Sequence, residues 1–192
     1  MNKIILDLCG GTGAWSRPYK EAGYDVRNIT LPEYDIETYK LPKNVYGILA
    51  APPCTMFSLA RTRAKKPRDL KEGMWTVVMC LIHIWNATGE GGLRFWVMEN
   101  PKGLLRKFMG KPAFTFDASE FGETYNKHTD LWGYFKEPKK KCEYRRFKST
   151  DKNTRKLPDI PKNYKIDTTM SRIAIKRSIT PKGFAEAFFK EN

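Results

Sequence analysis

The first residues of the chain place the strongest constraint on its fold. Residues 4–8 form a short apolar run, typical of a strand that is buried on both faces, and a glycine turn follows at residues 10–13. Residues 14–22 then have a helical pattern that ends at Gly23. A strand, a glycine turn and a helix in this order predict an α/β domain with parallel strands.

The same alternation continues along the chain. Residues 24–29, 46–51 and 93–98 are short apolar runs that predict further buried strands. Residues 70–87 are apolar on nearly every side of a helical wheel, as in a helix packed on a sheet and covered. We therefore predict a single-domain α/β fold with a doubly wound sheet and right-handed crossovers, because 192 residues suffice for one such core but not for two.

The positive charge of the chain is unevenly distributed. The net charge is +14, and residues 136–177 hold fifteen Lys and Arg against five Asp and Glu. This predicts a core at residues 1–135, a loop-rich basic insert at residues 136–177, and a C-terminal amphipathic helix at residues 178–192 that docks on the core. Such an excess of cations indicates a polyanionic partner, with nucleic acid first.

The composition also argues against several classes of protein. The four cysteines form no C-x-x-C pair and there are two histidines, which disfavours a disulfide framework and predicts no metal site. No apolar stretch reaches the ~20 residues of a membrane span, so no membrane partner is expected. The first residues lack the apolar region of a signal peptide, and we expect a cytoplasmic protein.

Cys54 has the sequence context of a nucleophile. Pro52 and Pro53 restrict the backbone directly after a predicted strand, and ligands bind at the carboxyl ends of strands in open parallel sheets. A helix beginning near Met56 would lower the pKa of the Cys54 thiol through its dipole. The alternative is a buried structural thiol, the ordinary role of a cysteine such as Cys80.

Two further motifs are expected at the same edge of the sheet. Glu99 follows the next predicted strand, where a carboxylate can act as a general acid or hydrogen-bond partner; the alternative is a cap on a helix that begins at Pro101. The glycine turn at residues 10–13 lets backbone N–H groups approach a nucleoside cofactor, although such turns also simply connect strands to helices. No Gly-Lys-Ser/Thr follows it, which disfavours a P-loop.

In their order and spacing, these motifs resemble those of the cytosine-C5 DNA methyltransferase family. Residues 7–13 (Asp-Leu-Cys-Gly-Gly-Thr-Gly), 52–58 (Pro-Pro-Cys-Thr-Met-Phe-Ser) and 99–101 (Glu-Asn-Pro) are similar to its cofactor loop, nucleophile motif and acid motif. The resemblance covers residues 4–133 and, more loosely, residues 177–189. It implies a class I, Rossmann-like methyltransferase fold and S-adenosyl-L-methionine as cofactor.

The resemblance also implies roles for individual residues. The Cys54 thiolate would add to C6 of cytosine while Glu99 binds N3 and the exocyclic amine, so that C5 can attack a methyl group. Lys127 would contact the cytosine O2, with an ordinary surface lysine as the alternative. The residues implied to bind the cofactor are Asp7, Cys9, Gly10, Gly11, Thr12, Gly13, Asp35 and Pro52. Those implied to bind the substrate are Pro53, Ser58, Arg61, Arg63 and Asn100.

The chain departs from the family pattern in three places. Residues 121–129 align with the family's Gln-x-Arg-x-Arg segment, and only Lys127 keeps a cation there. At the end of the second predicted strand, where the family has an acid that holds the cofactor ribose, the chain has Asn28 and its neighbours. The target-recognition domain is reduced to residues 136–177, which implies relaxed or short specificity. We expect DNA to be held through residues 61–71 and 136–177, where aromatic residues such as Tyr144 can stack on bases. A solvated basic loop is the alternative for this insert.

Two other functions are compatible with the sequence. The same C5 chemistry, or transfer of a related alkyl group, can act on free cytosine nucleotides or on RNA. A catalytically silent nucleic-acid-binding protein with this fold is the third interpretation, and the presence of both Cys54 and Glu99 argues against it.

Overall fold

A computed structural model describes residues 3–59, 61, 66–148, 157–162, 164–165 and 171–192. In chain order the elements are β1 (Ile4–Leu8), α1 (Arg17–Glu21), β2 (Asp25–Ile29), β3 (Val45–Ala50), α2 (Leu70–Gly89), β4 (Phe95–Pro101), α3 (Arg106–Met109), β5 (Phe114–Asp117), a 3₁₀-helix (Ala118–Phe121), β6 (His128–Tyr134), α4 (Arg172–Ser178) and α5 (Lys182–Glu191). The predicted α/β class is confirmed.

The six strands of the described residues form one mixed sheet in the order β2-β1-β3-β4-β6-β5. β1 pairs in parallel with β2 and β3, and β3 pairs in parallel with β4. β6 is antiparallel to both β4 and β5. This arrangement is compatible with a Rossmann-like fold, and its antiparallel part was not predicted from the sequence.

β6 was not predicted from the sequence because of its composition. Asp130 lies in the middle of the strand and is fully buried, which interrupts the apolar pattern that a buried strand normally has. The guanidinium of Arg106 donates to both carboxylate oxygens of Asp130, and Thr115 Oγ1 donates to Oδ1 over 3.0 Å. These tertiary contacts satisfy the charge, so a strand can form where the local sequence does not favour one.

Apolar side chains cover the sheet on both faces, as a doubly wound sheet requires. Alternate residues of β1 point to opposite faces, so Leu6 lies in the cluster that α2 covers and Ile5 in the cluster that α1 and α5 cover. The helical residues of the first cluster include Val77, Cys80 and Ile84, and those of the second include Tyr19, Phe184 and Phe188.

The helices α2 and α5 lie where the sequence predicts them, whereas α1 is shorter than predicted. α2 begins after Asp69, whose side chain accepts from Glu72 N, and α5 begins after Pro181. The predicted helix at residues 14–22 contracts to Arg17–Glu21, because residues 11–16 form turns. The first residues after the glycine turn therefore belong to a longer loop.

The described part of the basic insert lies against the core. Residues 136–148 contain neither helix nor strand, whereas α4 adds a helix within residues 136–177. Three consecutive lysines of the insert form ion pairs with acids outside it: Lys139 with Glu191 (3.3 Å), Lys140 with Glu120 (2.7 Å) and Lys141 with Glu186 (3.1 Å). These ion pairs connect the described part of the insert to the rest of the structure.

Candidate active site

The predicted motifs meet at one edge of the sheet. β1 has β2 on one side and β3 on the other, so the connection from β1 to β2 and the connection from β2 to β3 run in opposite directions along the sheet. Open α/β sheets bind ligands at such a reversal, outside the carboxyl ends of the strands, which here is between β1 and β3. The glycine turn follows β1, and residues 52–58, here called the Cys54 loop, follow β3. Because β6 is antiparallel, Lys127, which precedes it, lies at this edge too. Glu99 lies within β4, opposite Leu131, and not after the strand as predicted.

The glycine turn is closely packed on the ends of β1 and β2. Gly13 N donates to Gly10 O over 2.9 Å, and Asn28 Nδ2 donates to Gly11 O over 3.0 Å. A Cβ on Gly10 would overlap the side chains of Asp7 and Asn28, so a larger residue does not fit there. Asn28 therefore fixes the turn, a role that sequence analysis missed because only strand pairing brings β2 beside the turn.

Asp7 lies beneath the glycine turn and is fully buried. Ser16 Oγ donates to its Oδ2 over 2.5 Å, whereas Oδ1 has no hydrogen-bond partner in the described structure. Burial raises the pKa of Asp7 to about 6, and the bond from Ser16 offsets part of this effect. A buried acceptor without a partner favours a ligand that brings an N–H or O–H donor.

The residues after Cys54 form one turn and no helix. Cys54 O accepts from Phe57 N (3.0 Å) and Ser58 N (2.8 Å), and Ser58 then pairs with Gly103. The predicted helix near Met56 is therefore wrong, and no helix dipole lowers the pKa of the thiol. The pKa is instead raised, chiefly by burial and next by the negative charge of Glu99, while the charge of Lys127 acts in the opposite direction.

The Cys54 loop is held from three sides. Arg68 bridges two of its carbonyl oxygens, which makes it a positioning residue, although it lies in the basic stretch predicted to hold DNA. β4 and the loop after it supply the other two contacts. The bonds are Arg68 Nη1 to Met56 O (2.8 Å), Arg68 Nη2 to Ser58 O (2.8 Å), Leu104 N to Phe57 O (2.9 Å) and Asn100 Nδ2 to Pro52 O (2.9 Å).

Glu99 and Lys127 form an ion pair beside Cys54. Lys127 Nζ lies 3.4 Å from Glu99 Oε1, and the two side chains are only 13% and 12% exposed. Glu99 Oε1 accepts no hydrogen bond in the described structure, because this separation is long for one. The carboxylate thus retains acceptor capacity for a ligand. The structure brings together the three residues predicted to be catalytic.

Other predicted residues lie apart from this centre. Asp35 is exposed, and its Oδ1 accepts from Glu37 N over 2.9 Å; no contact between described residues joins it to the glycine turn. Arg61 donates from Nη2 to the carbonyl oxygens of Lys66 and Pro67 in its own loop. Arg63 lies outside the described residues. The predicted roles of these residues stay predictions.

The described residues offer neither a group that could hold a metal ion nor a helix that could cross a membrane. No group of three or more His, Cys, Asp and Glu among the described residues is arranged to hold a metal ion. No described helix is long and apolar enough to cross a membrane. Two shallow concavities lie at Gly91, Trp96 and Tyr134 and beside Trp85, away from every predicted site residue.

The chain was compared with known proteins. It matches no protein-family model and no curated protein. The functional interpretation therefore depends on the motifs and on the geometry of the site.

Proposed function

We propose that the protein is an S-adenosyl-L-methionine-dependent DNA cytosine-C5 methyltransferase of the class I fold. One observation carries the proposal: Cys54, Glu99 and Lys127 come from three distant parts of the chain and converge at the edge of the sheet where β1 runs into the glycine turn. A thiol whose pKa responds to both a buried acid and a buried cation is suited to nucleophilic catalysis on a polar ring.

The charges around Cys54 couple its reactivity to the bound base. Without substrate, burial and the charge of Glu99 keep the thiol protonated. Once the Glu99 carboxylate lies against N3 and the exocyclic amine of cytosine, a proton taken up from water is shared between Glu99 and N3 and offsets the carboxylate charge, while the Cys54 thiol releases its own proton to water. Lys127 continues to stabilise the thiolate, so the nucleophile forms when the target base is in place.

The covalent step follows from this arrangement. Cys54 Sγ forms a bond to C6, and the electron pair of the C5=C6 bond moves to C5, while Glu99 and the N3 proton stabilise the charge in the ring. After C5 has gained the methyl group, with S-adenosyl-L-homocysteine as the other product, the C5 proton would leave to water, its electron pair would re-form the C5=C6 bond, and the Sγ–C6 bond would break. The electron pair of that bond returns to Cys54 as a thiolate.

The glycine turn fits the proposed cofactor. Asp7 offers an acceptor without a partner and, when ionised, a negative charge that suits an ammonium group. Gly11 has a φ of 54° and open space where a side chain would be, so a ligand can approach the backbone there. When bound, S-adenosyl-L-methionine supplies an electrophilic methyl group. Asp7 and the backbone of residues 9–13 would hold it.

Nucleoside mass spectrometry tests the proposal. The protein is incubated with S-adenosyl-L-methionine and, separately, with DNA, RNA or free dCMP, and each digest is analysed for methylated cytosine. We expect 5-methyldeoxycytidine from DNA, its loss with Cys54→Ala, and its retention with Cys142→Ser, which changes an exposed thiol. Product from RNA or dCMP alone would contradict the assigned substrate, and no product from any of the three would contradict the activity.

A trapping experiment tests the covalent step. The protein is incubated with S-adenosyl-L-methionine and DNA that carries 5-fluorocytosine. After methyl transfer, C5 carries fluorine and no proton that could leave, so the Sγ–C6 bond should persist as an adduct that survives denaturing electrophoresis. We expect the adduct with the wild-type protein and with Cys142→Ser. An adduct that forms equally with Cys54→Ala would show that Cys54 is not the nucleophile.

A further inference from the structure

A group of cations lies outside both segments that the sequence predicted to bind DNA. Residues 102–111, after β4, contain four Lys and Arg and neither Asp nor Glu. Arg106 forms an ion pair with the buried Asp130. The other three, Lys102, Lys107 and Lys111, are exposed, and their side chains form no ion pair or hydrogen bond with the described residues.

These lysines differ in this respect from three consecutive lysines of the basic insert. Lys139, Lys140 and Lys141 are each paired with a glutamate of the protein, which neutralises their charge locally. A cation already paired within the protein has less electrostatic free energy to gain from a phosphate than an unpaired one. The three unpaired lysines of residues 102–111 are therefore better candidates for a phosphate contact than Lys139, Lys140 and Lys141.

The same loop borders the candidate active site. Leu104 N donates to Phe57 O over 2.9 Å, and Gly103 pairs with Ser58, so the loop is joined directly to the Cys54 loop. On its other side, Lys102 N donates to His128 O over 3.0 Å, one residue from Lys127. The loop thus touches both parts of the chain that carry Cys54 and Lys127.

An exposed aromatic ring accompanies the lysines. Phe108 is 48% exposed, and its ring centroid lies 6.2 Å from that of the buried Phe57. The pair of Arg106 and Asp130 anchors α3, from which Phe108 projects. A supported ring beside unpaired cations is the combination that binds the bases and backbone of a nucleic-acid strand.

We propose that Lys102, Lys107, Phe108 and Lys111, here called the α3 surface, bind the DNA strand that carries the target cytosine. The lysines contact its phosphates and Phe108 stacks on a base near the target. This inference rests on the proposed function, because it takes the Cys54 loop to be the place where cytosine reacts. It assigns the DNA contact to a surface that the charge distribution of the sequence did not indicate.

Salt-dependent binding tests the α3 surface. A Cys54→Ala protein, which binds without reacting, is titrated with a fluorescent cytosine-containing oligonucleotide at several salt concentrations. The test variant combines Lys102→Gln, Lys107→Gln and Lys111→Gln, and the matched control combines Lys139→Gln, Lys140→Gln and Lys141→Gln. Loss of three phosphate contacts should reduce the slope of log Kobs against log salt by about 2–3 in the test variant and by less than about 1 in the control.

The aromatic part is tested in the same assay. Phe108→Ala should weaken binding about 5- to 100-fold with the slope unchanged, because stacking releases no counterions. Phe108→Trp should restore the affinity. Unchanged affinity in Phe108→Ala would remove the ring from the proposal.

The outcomes separate this inference from the proposed function. An unchanged slope in the test variant, or an equal loss in the control, would overturn the α3 surface while methylation of DNA still supports the proposed function. Methylation of dCMP without salt-dependent DNA binding would overturn the α3 surface and keep the chemistry. A reduced slope in a protein that methylates nothing would support the α3 surface and overturn the proposed function.

Discussion

Cys54 and Glu99 have opposing electrostatic requirements at the scale of single residues. The thiol must lose a proton to react, yet burial and the nearby carboxylate both raise its pKa. Lys127 lies against the carboxylate at 3.4 Å and reduces this repulsion without removing it. In the proposed mechanism, the site therefore keeps the Cys54 thiol protonated until a ligand offsets the charge of Glu99.

Replacing Glu99 or Lys127 tests whether each charge shifts the pKa of Cys54. Glu99→Gln should lower the pKa of Cys54, because the amide carries no charge to oppose the thiolate, and Lys127→Gln should raise it. The pH dependence of the rate of alkylation by iodoacetamide measures both shifts. The same Glu99→Gln change should reduce kcat for methylation by about 100-fold or more.

The background for this measurement is a Cys142→Ser protein, which removes the exposed thiol of the described residues. Alkylation of Cys54→Ala in that background gives the contribution of Cys9 and Cys80. A pKa that rises in Glu99→Gln, or that falls in Lys127→Gln, would contradict the assigned electrostatics.

Asp7 makes stability depend on pH. Its pKa is raised from 3.8 to about 6, so it favours the folded state fully below its unfolded pKa, and this contribution is lost as the pH rises through 6. The free energy of unfolding of the wild type, relative to Asp7→Asn, should therefore fall by about 2–2.5 kcal/mol between about pH 4 and pH 7. Urea unfolding across this range measures the difference.

Asp35→Asn is the matched control, since Asp35 is an exposed carboxylate. Parallel pH profiles of wild type and Asp7→Asn would rule out the proposed burial effect. Saturation with the cofactor should reduce the dependence on pH, because a donor to Oδ1 stabilises the ionised carboxylate.

At the scale of elements, the position of Cys54 depends on the contacts that fix its loop. Arg68 reaches back from the segment before α2 to two carbonyl oxygens of the Cys54 loop. Gly73 allows α2 to lie against this loop, since a Cβ there would meet Met56 Cβ at 2.7 Å. The loop is thus fixed by the helix that follows it.

Removing the Arg68 contacts should loosen the nucleophile. Arg68→Ala should lower the free energy of unfolding by about 1–3 kcal/mol, because two hydrogen bonds from a charged group are lost. It should also lower kcat by about 10- to 100-fold, because displacement of a reacting group is costly. Urea unfolding and single-turnover methylation measure the two effects.

Two comparisons distinguish positioning from DNA contact. Arg68→Lys keeps the charge, but an ammonium group does not reproduce the two separate N–H donors of the guanidinium. The variant should therefore lower kcat, while the slope of log Kobs against log salt for DNA binding stays as in the wild type. Arg94→Ala, which changes an exposed arginine at the opposite edge of the sheet, should alter neither quantity. A reduced salt slope in Arg68→Ala with normal kcat would assign Arg68 to the DNA instead.

At the scale of the whole molecule, the last helix completes the core. Phe184 of α5 is fully buried and stacks on Phe116 of β5 with ring centroids 4.1 Å apart, and it also packs on Trp15. The end of the chain therefore covers the sheet face that α1, with only five residues, leaves open.

Truncation of this aromatic contact should be strongly destabilising. Phe184→Ala should lower the free energy of unfolding by about 3–5 kcal/mol, because it removes a buried ring and leaves a cavity. Phe108→Ala, which truncates a half-exposed phenylalanine, should lower it by only about 1–1.5 kcal/mol. Urea unfolding compares the two, and equal losses would contradict the described packing of α5.

The sequence was most informative where local pattern and environment agree. The parallel strands β1 to β4 are short apolar runs because both of their faces are buried, and α2 and α5 carry apolar side chains at helical spacing. Cys54 was predicted at the carboxyl end of a strand because Pro52 and Pro53 restrict the backbone there. β5 and β6 were missed because buried polar groups such as Asp130 are satisfied only by distant residues.

The sequence by itself determined the α/β alternation, the glycine turn and the order of the three motifs, because strand, turn and helix preferences are local. Only the tertiary structure decided that Lys127 meets Glu99, since this requires β6 to run antiparallel beside β4. It also decided which cations are paired and which are exposed. Net charge is a property of the composition, whereas the charge available to a partner depends on which acids the fold brings beside each lysine.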